Sequence, residues 1–112
     1  MENNVIKDRK LSDINKAEDN RVRVIGAISD IDPKIGTFKI SDGGVEITCL
    51  PPAQGLNGVS AGDFSVISGR VLPAGENEIE IRCEYIERID RNDVDEYHKY
   101  LKIRNDLLNN GS

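Results

Sequence analysis

The side chains best suited to chemistry in this chain are two thiols, Cys49 and Cys83, one imidazole, His98, and a large set of carboxylates. Two cysteines 34 positions apart and a single distant histidine lack the paired ligand spacing of a structural zinc site, so no metal is expected. On apolar strand faces of an intracellular chain, two isolated thiols read as reduced core residues rather than as a disulfide. No glycine-rich phosphate loop follows a strand and no nucleophile elbow is present. His98 falls on a charged helical segment with no partner that spacing identifies. Asp93, Asp95 and Glu96 sit at a helix start, where negative charge complements the helix dipole. The expectation is a protein that is not an enzyme and needs no cofactor.

Binding chemistry is the remaining class, and charge restricts it. The formal net charge is −5. Release of condensed counterions supplies much of the affinity of proteins that grip phosphates unaided, and those proteins normally carry a basic excess. Here the candidate nucleic-acid contacts reduce to Arg21, Arg23 and Lys39, which strand parity places on one outer face with Thr37 and Ser41. Stacking platforms are scarce as well. Phe38, Phe64 and Tyr85 are the aromatic residues of the strand region, and alternation assigns them mainly to the core.

Five short strands must position these groups. Arg21-Val-Arg-Val-Ile-Gly-Ala-Ile-Ser-Asp-Ile31 alternates β-branched and polar residues around Gly26, where a strand can bend. Asp32–Gly36 is rich in turn residues. Thr37-Phe-Lys-Ile-Ser41 resumes the period of two with Phe38 and Ile40 inward, and Asp42-Gly-Gly44 turns the chain again. Val45, Ile47 and Cys49 form the inner set of a third strand that Pro51-Pro52 must end. Phe64–Leu72 is a fourth strand with Gly69 at its middle. In the fifth, Ile79, Ile81, Cys83 and Tyr85 share one face and Glu78, Glu80, Arg82 and Glu84 the other. Residues 1–10 read as a flexible tail and residues 11–91 as one barrel, with Leu11-Ser-Asp-Ile14 docking on it and Ser12 capping a helical turn. Residues 92–108 read as a helix capped by Asn92, and residues 109–112 as a disordered tail.

The helix carries two apolar stripes. At 100° per residue Val94, Tyr97, Leu101 and Leu108 form one, and Tyr100, Ile103 and Leu107 form its neighbour. A helix that only covers its own barrel needs one stripe. The second either widens that packing contact or marks a surface for partner helices, and on the latter reading the isolated chain self-associates or needs a partner.

The succession Val22-Arg-Val-Ile-Gly26, Lys34-Ile-Gly-Thr-Phe-Lys-Ile-Ser-Asp-Gly43, Gly69-Arg-Val71, Ile81-Arg-Cys-Glu-Tyr85 and Asp95-Glu-Tyr-His-Lys-Tyr-Leu101 resembles the smallest subunit of replication protein A over about residues 11–108. Archaeal counterparts and the small telomere-capping subunit are its near relatives, and the middle subunit of replication protein A is the close alternative. The resemblance implies an all-β fold with a C-terminal helix: a five-stranded Greek-key barrel of the oligonucleotide/oligosaccharide-binding (OB) type, with the third and fifth strands adjacent. It also implies assembly with larger OB-fold subunits through Tyr97, Tyr100, Leu101, Ile103, Leu107 and Leu108, and contact with single-stranded DNA mainly through the complex. Localisation follows as intracellular, nuclear in a eukaryote and cytoplasmic in an archaeon, with no membrane partner. An autonomous single-strand binder and an OB module for protein or oligosaccharide are the competing readings.

Overall fold

The computed structural model describes residues 6–90, 92–97, 99 and 103. Six strands follow one another as β1 (Lys7–Asp8), β2 (Arg21–Asp32), β3 (Thr37–Asp42), β4 (Val45–Leu50), β5 (Phe64–Pro73) and β6 (Ile79–Ile89), with a 3-10 turn at Leu11–Asp13. Their order in the sheet is β1-β2-β3-β4-β6-β5, and a further β2–β5 pairing closes the last five into a barrel. All barrel pairs are antiparallel except β4 with β6, which run parallel with Cys49 opposite Ile81.

Closure depends on β2 serving two neighbours. Its first part, Arg21 to Ala27, pairs with β5, and from Ala27 onward it pairs with β3. Gly26 sits at that handover, where a Cβ would lie 2.6 Å from the Ser41 carbonyl oxygen and 2.7 Å from Ile40 Cγ1. A side chain there would force the two strands apart, so the bend expected at Gly26 has a steric cause. At the far end of β2, Asp32 Oδ1 accepts the N–H groups of Lys34 (2.9 Å) and Ile35 (3.2 Å), which fixes the turn into β3.

Inside the barrel Val22, Val24, Ile28, Phe38, Ile40, Ile47, Cys49, Ile67, Ile81, Cys83 and Ile86 form one buried cluster, sealed by Leu11 and Val59. Both thiols are free and buried. Contact with Cys83 and loss of water push the Cys49 thiol far above the ordinary range, which keeps it protonated.

Local expectations need correction at several points. On β6, Ser68 of β5 pairs with Tyr85 but Gly69 pairs with Cys83, so Glu84 is an extra residue in a β-bulge. Gly69 permits it: a Cβ there would stand 2.3 Å from the Arg82 carbonyl oxygen. The bulge reverses the parity beyond it, turning Tyr85 outward at 47% exposure and Ile86 inward at 1%. Tyr85 therefore does not share the face of Ile79, Ile81 and Cys83.

The flexible tail expected at residues 1–10 contains, within its described part, a short strand. Lys7 and Asp8 pair in parallel with Val22 and Arg23, a strand too short to show any periodicity in sequence. The 3-10 turn that follows has Lys10 at its N-cap position with no side-chain hydrogen bond, so Ser12 is not the cap. Leu11 is buried as expected. The segment is clasped by Asp19, whose buried carboxylate accepts the Asn15 N–H at 2.8 Å and the Arg9 Nε at 3.2 Å, with Lys7 at 3.7 Å. Burial alone would raise the Asp19 pKa, but these partners outweigh it and hold the group below its ordinary value.

Residues 92–97 are helical. Asn92 is already inside the helix rather than capping it. The tail expected at 109–112 and, apart from residue 103, the helix expected beyond residue 99 lie outside the described residues.

Candidate nucleic-acid and partner interface

The three cations predicted to meet phosphate are all engaged within the chain. Arg23 grips Asp8 with two parallel hydrogen bonds, Nε to Oδ1 at 2.6 Å and a terminal N–H to Oδ2 at 3.0 Å. Such a fork is the strong form of the ion pair, and it raises the affinity of the Arg23 guanidinium for its proton. Arg21 Nε lies 3.3 Å from Glu84. Lys39 Nζ lies 3.2 Å from Glu46 and 3.8 Å from Asp30, so its pKa is raised, first by the bond to Glu46. Exposed pairs like the last two contribute little stability, yet each sets a carboxylate beside the cation and reduces the local positive excess that phosphate binding draws on.

Nor do the three form one patch. Arg23 lies opposite Ser68 of β5, whereas Lys39 lies opposite Ser29, six residues further along β2. At about 3.3 Å per residue that is roughly 20 Å of strand. The two cations line different concavities. Lys39 borders a groove of about 540 Å³ with Lys16, Glu46, Thr48, Asn77 and Ile79. Arg23 borders a cleft of about 550 Å³ between the barrel wall and the helix.

That second cleft contains what sequence reading missed. Tyr85 lines it together with Glu87, Asp93, Glu96 and Tyr97. The Tyr85 hydroxyl donates to Glu87 at 2.7 Å, which raises its pKa and holds the ring in place on the outer wall. The signal for this was present in sequence: Tyr85 and Ile86 are adjacent large apolar residues, and only one of them can face inward.

Of the predicted partner-binding residues, Tyr97 turns toward its own barrel. It is half-buried and donates its hydroxyl to Asp8 at 3.1 Å. Burial, and next the Asp8 charge, push its pKa up to about 12. Ile25, of opposite parity to Val22 and Val24 on β2, is also buried, to 2%, and stands apart from the central cluster. Ile103 is 61% exposed. Tyr100, Leu101, Leu107 and Leu108 lie outside the described residues.

Comparison with known proteins gives a consistent architecture. No protein-family model matches the chain, and no curated protein matches it in sequence. Among solved structures it is similar to a chain of the S. pombe Stn1–Ten1 complex, with TM-score 0.70, 17% identity, and coverage of 92% of this chain and 94% of that one. The S. pombe telomere capping protein Ten1 gives 0.67 at 18% identity over 91% and 99%. A chain of a replication protein A heterotrimer bound to single-stranded DNA gives 0.62 at 11% identity over 85% and 79%. With the closed five-stranded barrel and the parallel β4–β6 pair, these likenesses identify the chain as an OB fold.

Proposed function

We propose that this protein is an OB-fold subunit of a single-stranded DNA-binding complex of the replication protein A and Ten1 kind. In this reading its C-terminal helix contributes assembly and its own surface contributes weak DNA contact. The carrying observation is that Arg21, Arg23 and Lys39 are each already paired with a carboxylate of the same chain. A barrel that gripped DNA alone would need those cations free. The exposed Ile103 supports the assembly half, since a large apolar side chain on a helix whose other face lies on the barrel is suited to a partner. The Stn1–Ten1 and replication protein A neighbours are both chains of multi-subunit complexes, which supports the assembly reading. The replication, repair and recombination roles of the replication protein A family belong to this proposal. So does the choice of the smallest subunit over the middle one.

Ile103→Asp tests it. The variant should keep the thermal unfolding of the parent protein but lose association in light scattering and co-purification with a co-expressed larger OB-fold subunit. Unchanged association would remove the helix from the assembly role.

One observation favours the autonomous reading: Tyr85 supplies an outward aromatic beside Arg23. Glu87, Asp93 and Glu96 around it oppose a phosphate backbone, so we rank it second.

A further inference from the structure

The cleft between the helix and the outer wall of β5 and β6 has a chemistry of its own. Tyr85 presents a half-exposed ring there, and its bond to Glu87 holds the ring before any ligand arrives. Glu87, Asp93 and Glu96 converge on the same 550 Å³ of space. Among the described residues no cation pairs with these three carboxylates. Among the described residues that line the cleft the cation is Arg23, and it is committed to Asp8 through both branches of its fork. A pocket whose described lining sets an aromatic wall and three carboxylates against one committed cation is complementary to a delocalised cation. The guanidinium of arginine fits best, because it can stack on the ring while its N–H groups reach carboxylates on either side.

We infer that this cleft is a docking surface for an arginine-bearing segment of a partner protein, the arginine lying against Tyr85 and paired with Glu87, Asp93 or Glu96. The inference rests on the assembly reading above for its biological setting, and it adds a second contact to that of the helix. Arginine and tyrosine are among the residue types enriched where the energy of protein interfaces concentrates, and a pocket formed before binding reduces the cost of ordering it. A bulge that exposes one tyrosine and a helix that brings Asp93 and Glu96 opposite it together make the pocket.

The test is a nuclear magnetic resonance titration of the full-length, isotope-labelled protein with three probes. The first is a blocked dodecapeptide of alanine and glutamine bearing arginine at every fourth position. The second is the same peptide with citrulline, which keeps the shape and removes the charge. The third is an oligothymidine of twelve nucleotides. The arginine peptide should shift resonances of Tyr85, Glu87, Glu96 and Tyr97, and citrulline should weaken binding by about tenfold. Glu87→Gln with Glu96→Gln should weaken it comparably. Tyr85→Ala should cost about three- to fivefold and Tyr85→Phe little, since the ring is retained. Equal binding of the citrulline peptide, or arginine-induced shifts confined to other surfaces, would overturn the inference. Oligothymidine shifting these resonances while the peptide does not would overturn it in favour of nucleic acid. The assembly reading fails separately: Ile103→Asp could leave association intact whatever the peptide does.

Discussion

Tyr97 donates its hydroxyl to the Asp8 carboxylate at 3.1 Å across 89 positions of sequence, and Arg23 grips the same carboxylate from the barrel wall. One carboxylate thus ties the short N-terminal strand, the barrel and the helix together. Tyr97→Phe deletes a charge-assisted bond while keeping the ring, and should cost about 1.5–3 kcal/mol in chemical denaturation. Asp8→Asn should cost more, because it leaves Arg23 without its ionic partner. If Tyr97→Phe unfolds at the parent denaturant midpoint, the hydroxyl does not anchor the helix.

Stability should decline at both extremes of pH for identifiable reasons. The Tyr97 pKa is raised to about 12, so its contribution is complete below the ordinary tyrosine value of 10 and is lost as pH climbs toward 12. Asp19 is held below its ordinary value of 3.8, so its contribution is complete above that pH and is lost as pH falls further. Asp19→Asn should flatten part of the acid limb, and Tyr97→Phe part of the alkaline limb, when unfolding free energy is plotted against pH.

DNA binding should be weak and respond to unmasking of the cations. Glu46→Gln and Glu84→Gln release Lys39 and Arg21 from their nearest anions. Each should raise the affinity for a thymidine oligonucleotide by a few fold and steepen the log–log salt dependence by up to about 0.7. Fluorescence anisotropy over a salt series measures both. A parent protein that already binds tightly near physiological salt would contradict the masking.

Gly69→Ala should be disproportionately costly for so small a change. Its Cβ would meet the Arg82 carbonyl oxygen at 2.3 Å, so the β5–β6 pairing must yield. A loss of about 1–3 kcal/mol is expected, visible as a lower melting temperature. The fluorescence of Tyr85 should change with it, because the bulge at Glu84 is what turns that ring outward.

Cys49 and Cys83 are free and buried and should resist a bulky thiol reagent in the native protein, then react fully in denaturant. Rapid native labelling of both would mean that the inner faces of β4 and β6 are exposed.

Much of the barrel was legible residue by residue. Alternation alone assigned Phe38 and Ile40, then Ile47 and Cys49, to the inside, and all four are buried. Turn chemistry located Asp32–Gly36, and Pro51 stands where β4 stops. These are local matters, governed by a period of two and by residues with restricted backbone angles. The outward turn of Tyr85 was decided elsewhere. It depends on one extra residue in β6, admitted because Gly69 on the neighbouring strand lets two backbones approach, and a single insertion inverts every later side chain. The state of the three cations was likewise invisible in composition. Arg23 finds Asp8, Arg21 finds Glu84 and Lys39 finds Glu46 only after the chain has folded. Sequence by itself determined which residues prefer the inside of a barrel, because burial of apolar alternation is a local preference. Only tertiary structure decided which charges remain available, because ion pairing depends on distances between strands that the order of residues does not contain.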